Sequence, residues 1–266
     1  MKNYFFGVLS RTYRQFWFFV GRFVCLSLLL IVVSSGIRGT GEAILGMRYY
    51  YLVMPGVACH ESGHALGCLL TGHEIVEFAP FKPHGDVLGY VRWSPGEITF
   101  ATLVAAFFIG TGPLWFGCLV VWLLSLPLLR ANILSAFKTD VSSFLPMSGV
   151  LYWSKVVKAA LAMLKTMLRN WNLRSPINLV ITYLLVCVVS EMPPSLTDMQ
   201  SGLPGFLLLI IFFGVLNLIP PLGRLIDGAT VKLQPTFFSI HVVVLFVLLI
   251  DLCIFVCFAL PLSIIF

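Results

Sequence analysis

The sequence predicts an all-α polytopic membrane protein of about six membrane helices with one small re-entrant β-hairpin. Three observations lead there. Hydrophobic residues make up 59% of the 266 positions and charged residues only 11%, against about 25% charged in an ordinary soluble domain. Most of the chain therefore has no water to face, and its mean hydropathy of +0.99 says the same. Apolar runs recur near 18–36, 50–71, 98–129, 176–191, 204–222 and 236–266, and about 20 apolar residues suffice to cross a bilayer as a helix. The stretch from His73 to Glu97 differs in kind. It holds Pro80, Pro83, Gly85, Asp86 and Gly89 between two β-prone pieces, Ile75–Phe78 and Gly89–Trp93. That pattern predicts a strand, a turn around His84-Gly85-Asp86 and a second strand, a hairpin over about 74–93. Extended backbone at membrane depth needs protein or a water-filled cavity to cover it.

Taken in order, Lys2, Arg11, Arg14 and Arg22 precede the apolar stretch Phe23–Val33. The charged region is too long and too aromatic for a cleaved signal. Residues 1–17 are therefore expected to form an interfacial segment leading into a retained first span. The basic residues place the N-terminus on the cytoplasmic side. The run 98–129 is too long for one untilted helix, and Gly110-Thr111-Gly112-Pro113 can kink or divide it. Over about 150–170, Lys155, Lys158, Lys165 and Arg169 share one helical face. Val156, Val157, Leu161, Leu164 and Leu168 take the opposite side, as in an amphipathic helix on a membrane surface. No internal repeat and no separate soluble unit is visible, so 1–266 reads as a single integral membrane domain.

The net charge of +6 is dispersed towards the ends of apolar runs. It fits anchoring at lipid headgroups, and it lacks the dense basic patch that nucleic-acid binding requires. The seven cysteines form no C-x-x-C pair and read as buried thiols, not as a disulfide framework.

The chemistry sits in the second run, where His60-Glu61-Ser62-Gly63-His64 contains H-E-x-x-H. Residues four apart lie on one helical face, one turn apart, so both imidazoles can reach one zinc ion at about 2.0–2.1 Å. Glu61 is rotated off that line and can serve the attacking water as general base without occupying a ligand position. With five His and six Glu in the chain, chance would produce this pattern about 0.002 times. An ionisable group inside a span also costs roughly 2.5–3.5 kcal/mol, so such groups are functional by default. Gly56, Ala58, Ser62, Gly63 and Gly67 would let a neighbouring helix come close.

A catalytic zinc normally takes three protein ligands, so a third must come from elsewhere. His73 and His84 lie in the polar loop, where interfacial or turn roles account for them. Asp251 stands alone in the last apolar run, as a helix–helix hydrogen-bonding residue would. Asp227 follows Arg224 by one turn, and a local ion pair would account for it. Glu191 and Asp198 belong to Ser190-Glu191-Met192-Pro193-Pro194-Ser195-Leu196-Thr197-Asp198. There two prolines stop a helix and free its last carbonyls, the construction of an interrupted span built around a site. Asp198 there is either a ligand or the cap of the next helix.

Together these residues resemble the site-2 protease family of intramembrane zinc metalloproteases. That family carries H-E-x-x-H in one membrane helix, then a re-entrant hairpin, then a G-P-containing helix. The counterparts here are His60–His64, Glu74–Trp93 and Gly112-Pro113, and the likeness covers roughly 50–130 well and 176–220 loosely. The family's aspartate ligand lies in a pattern like N-x-x-P-x-P-x-L-D-G, and two segments compete for it. Asn217 to Gly228 matches in letters but places Asp227 ten residues after Asn217. Ser190 to Asp198 keeps the eight-residue spacing with Ser in place of Asn. Spacing sets geometry, so Asp198 is the expected third ligand and Asp227 its rival. The resemblance implies one Zn2+ per chain, held by His60, His64 and Asp198, with Glu61 as catalytic base. It further implies a membrane-protein substrate cut in or beside its transmembrane segment. Two other classes stay open, a zinc-binding membrane protein without peptidase activity and a transporter. The intact Glu61 argues against the first, and the lack of paired halves argues against the second.

Overall fold

The computed structural model describes residues 2–84, 87–129, 149–172 and 174–261. Helix α1 (Lys2–Phe16) continues through a π turn (Trp17–Gly21) into α2 (Arg22–Leu45), so the N-terminal segment and the first apolar run make one long element. A short α3 (Arg48–Leu52) links it to α4 (Met54–Thr71), which carries the H-E-x-x-H motif. Pro55 sits in the first turn of α4, where its missing N–H leaves no helix bond unmade. Next come β1 (Ile75–Ala79) and β2 (Tyr90–Trp93), an antiparallel pair with a bulge between Ile75 and Glu77. The hairpin is where the two β-prone pieces around a turn placed it. His84 and Val87 close its far end through two backbone bonds of 2.8 and 3.2 Å, while Gly85 and Asp86 of the expected turn lie outside the described residues.

The 98–129 run is divided: α5 (Phe100–Gly110) and α6 (Gly112–Leu129) meet at Thr111. Thr99 caps α5 with a reciprocal capping box. After the undescribed 130–148 come α7 (Gly149–Asn170), α8 (Pro176–Glu191), α9 (Leu196–Leu218) and α10 (Pro220–Ile254), which ends in a second π turn (Phe255–Ala259).

Among the described residues four helices are long and apolar enough to cross a membrane: Tyr4–Leu45, Gly112–Leu129, Leu196–Leu218 and Pro220–Cys257. The other apolar runs form α4 and two shorter apolar helices, α5 and α8, of 11 and 16 residues. An apolar run does not reveal whether its side chains meet lipid or protein. In α5, Ala105, Phe107 and Ile109 are buried inside the bundle.

The core joins α2, α6, α7, α8 and α10 through residues such as Leu30, Val121, Val156, Val189 and Phe246, all fully buried. Helix α7 stands where its basic periodicity placed it, but its apolar side splits in two. Tyr152, Val156, Ala160 and Met163 are buried against the bundle, whereas Val157, Leu161 and Leu168 stay 40–48% exposed. The cysteines are all free thiols. Cys68, Cys118 and Cys187 are buried as expected, but Cys25, Cys253 and Cys257 lie on the exposed surface of their helices.

The small residues of α4 do what their size allows. A Cβ on Gly63 would sit 2.6 Å from the Pro113 nitrogen and 2.8 Å from the Gly112 carbonyl carbon, closer than atoms can approach. Main chain therefore meets main chain where α4 crosses the start of α6. That contact sets the depth at which the motif faces its neighbours.

Candidate metal centre

Three helix ends converge on the middle of α4. Two of them, the C-termini of α5 and α8, present carbonyls that no intrahelical N–H can satisfy. His64 Nδ1 bonds the Ile109 carbonyl at 2.8 Å, and His60 Nδ1 bonds the Glu191 carbonyl at 2.7 Å. A carbonyl only accepts, so each ring carries its proton on Nδ1 and turns a bare Nε2 lone pair inward. The two Nε2 atoms stand 3.2 Å apart.

The third end is the N-terminus of α9. Asp198 is its third helical residue and forms a capping box with Ser195, whose N–H and Oγ–H both donate to Asp198 Oδ2 at 2.7 and 2.6 Å. The same carboxylate faces the histidines, with Oδ1 3.2 Å from His64 Nε2 and Oδ2 3.5 Å from His60 Nε2. Cap and ligand position are one role here, because the cap holds the carboxylate where the imidazoles point. Close backbone approach makes this possible: a Cβ on Gly110 would fall 2.6 Å from the Asp198 carbonyl oxygen.

The donor set asks for positive charge. Two imidazole lone pairs and a carboxylate oxygen crowd together with both ring protons committed elsewhere. A single proton can bridge only two of the three. The two Nε2 atoms are 3.2 Å apart, Oδ1 of Asp198 lies 3.2 Å from one and Oδ2 3.5 Å from the other, and one ligand atom from each residue lies within 4.8 Å of the others, a spacing one cation can bridge. The residues could hold a metal cation, with the ring orientation already set by bonds from Nδ1 to main chain. Among the described residues this is the one group of three or more His, Cys, Asp or Glu side chains close enough together to hold a metal ion.

No protein-family model, curated protein or solved structure matches this chain.

The triad and Glu61 line one cavity of about 410 Å³, which Tyr90, Val91 and Trp93 of β2 also line. Glu61 is 9% exposed and faces that space from beside the histidine pair.

The other acidic and histidine candidates are elsewhere. His73 Nδ1 pairs with Thr71 Oγ1 at 3.0 Å while its ring lies against Trp93, and His84 sits in the hairpin turn. Asp251 accepts a bond from Ser34 Oγ at 2.6 Å, a buried helix–helix contact. Asp227 lies in a polar clasp at the α9–α10 junction. Its partner there is not Arg224, as sequence proximity implied, but Arg11 of α1 at 3.3 Å. Gln15 donates to Asp227 Oδ1 at 2.8 Å and accepts from Asn217 Nδ2 at 2.7 Å. The Asn217–Asp227 letters thus tie α1 to the end of α9 remote from Asp198. Glu191 reaches the centre through its carbonyl, not its carboxylate. That role, like that of Ile109, belongs to the main chain and is written in no residue letter. The signals for it were the breaks at Thr111 and at Pro193-Pro194, where helices end and carbonyls come free.

Proposed function

We propose that this protein is an intramembrane zinc metalloprotease that hydrolyses peptide bonds in or beside transmembrane segments of membrane proteins. The observation that carries the reading is the convergence of His60, His64 and Asp198 on one point, with Glu61 on the wall of the same cavity. The site-2 protease resemblance of the sequence points the same way. A zinc ion held by the triad would supply Lewis-acid polarisation of water and of the scissile carbonyl. Glu61 takes the proton of the attacking water and passes it to the departing amide nitrogen. Glu61 is 9% and His64 8% exposed, so both would work largely shielded from bulk water. The decisive experiment measures metal content and cleavage of a membrane-anchored peptide by the purified chain. One zinc per chain, with cleavage lost on chelation and regained on adding zinc, is expected. Metal-free protein that still cleaves would sink the proposal.

A helical substrate hides its carbonyls in its own hydrogen bonds, so it must unwind before attack. The hairpin offers a place to hold the unwound stretch. It is β2, not β1, that lines the metal cavity, and strand addition along an open edge supplies backbone bonds to an extended peptide. Val91→Pro removes a donor from β2, so cleavage is expected to fall about tenfold, the worth of one net hydrogen bond. Zinc content should not change. Turnover equal to wild type on the same peptide would rule out the strand-addition mode.

A further inference from the structure

His60 owes its orientation to a single acceptor, the Glu191 carbonyl at 2.7 Å. That carbonyl ends α8, where the helix no longer holds it and Pro193-Pro194 forbids continuation. The end of α8 packs on α4, where a Cβ on Gly56 would meet the Cys187 carbonyl, and polar side chains of α2 bond it from another side. Ser34 and Arg38, one turn apart on α2, face it together. Ser34 Oγ lies 3.4 Å from the Val189 carbonyl. Arg38 Nη2 bonds Glu191 Oε2 at 2.8 Å. Tyr49 of α3 adds a third hold, its hydroxyl donating to Glu191 Oε1 at 3.3 Å. The Glu191 side chain is 3% exposed, so these two partners replace the water it has lost.

We propose that Arg38 and Tyr49 are positioning residues for the metal site, acting through Glu191. The carboxylate is a handle by which α2 and α3 fix the final turn of α8, and the carbonyl of the same residue fixes His60. Arg38 and Tyr49 spend their polar groups on Glu191 and not on the His60–His64–Asp198 triad, whose cavity Arg38 also lines, yet both decide where its first imidazole points. Charge considerations agree. Glu191 is a buried carboxylate near the cavity, and Arg38 neutralises it, leaving Asp198 as the anion available to a cation. Outer partners of this kind typically change metal affinity by 10–100-fold.

The inference rests on the metal reading of the triad, and cobalt titration of the full-length chain in detergent tests the two separately. Co2+ reports both affinity and, through its visible absorption, the geometry of the site. Wild type is expected to bind one Co2+ with a tetrahedral spectrum. Arg38→Met and the near-isosteric Glu191→Gln should each weaken binding about 10–100-fold and alter that spectrum. Arg38→Lys should recover part of both, and Tyr49→Phe should show a smaller shift in the same direction. Asp227→Ala, which loosens a distant clasp, should leave affinity and spectrum unchanged and so excludes a general loss of stability. If wild type binds Co2+ and Glu191→Gln matches it in affinity and spectrum, the positioning role is wrong while the metal site stands. If wild type takes up no Co2+, the metal reading falls and this inference with it.

Discussion

Glu61→Gln is expected to lower proteolytic turnover by about 10²–10⁴-fold, the usual contribution of general acid–base catalysis, with zinc still at one per chain. Glutamine matches glutamate in shape and keeps the packing of a residue only 9% exposed. It cannot accept the proton of the attacking water at neutral pH, so the change removes basicity and little else. Glu61 is absent from the group whose ligand atoms converge, which is why the metal should stay. The check is zinc analysis beside turnover of a membrane-anchored peptide on one preparation. Full activity in the variant would remove the proposed mechanism; loss of zinc would make Glu61 a ligand and recast the site.

The second large effect separates the two aspartates. Asp198→Ala removes the carboxylate that stands 3.2 and 3.5 Å from the imidazole Nε2 atoms. It leaves two histidines, which hold zinc weakly and without defined geometry. Zinc and activity should be lost together, as with His60→Ala. Asp227→Ala should keep both, because Asp227 is engaged with Arg11 and Gln15 at the far end of α9. Its cost should appear in stability. Gln15 is 2% exposed and loses one of its partners, a change worth about 1–3 kcal/mol, read as a lower unfolding temperature in detergent. Zinc lost with Asp227→Ala and kept with Asp198→Ala would overturn this assignment and move the site to the letters of the Asn217–Gly228 segment.

These two aspartates also mark where sequence reading reaches and where it stops. The membrane character, the hairpin between the second and third apolar runs and the pairing of His60 with His64 were all legible, because each follows from local composition or local period. Asp198 could be preferred through the Pro-Pro stop and its spacing, but not placed. The Ser195 cap that fixes the carboxylate is local, but where that cap sits depends on Gly110 letting α9 approach α5, a contact between segments far apart in the chain. Among the described residues four helices are long and apolar enough to span, and hydropathy alone does not say what the shorter apolar runs pack against: in α5, Ala105, Phe107 and Ile109 are buried while Phe100 and Phe108 are exposed. The partner of Asp227 was misjudged by the same logic, since Arg224 is adjacent in sequence while Arg11 is adjacent in space. By itself, then, the sequence pointed to a membrane setting, to the local elements and to His60, His64 and Glu61 as candidate site residues. Only the tertiary structure decided which carboxylate meets those histidines and which carbonyls orient them. Main-chain acceptors are the same at every residue, and only packing selects the ones that end beside an imidazole.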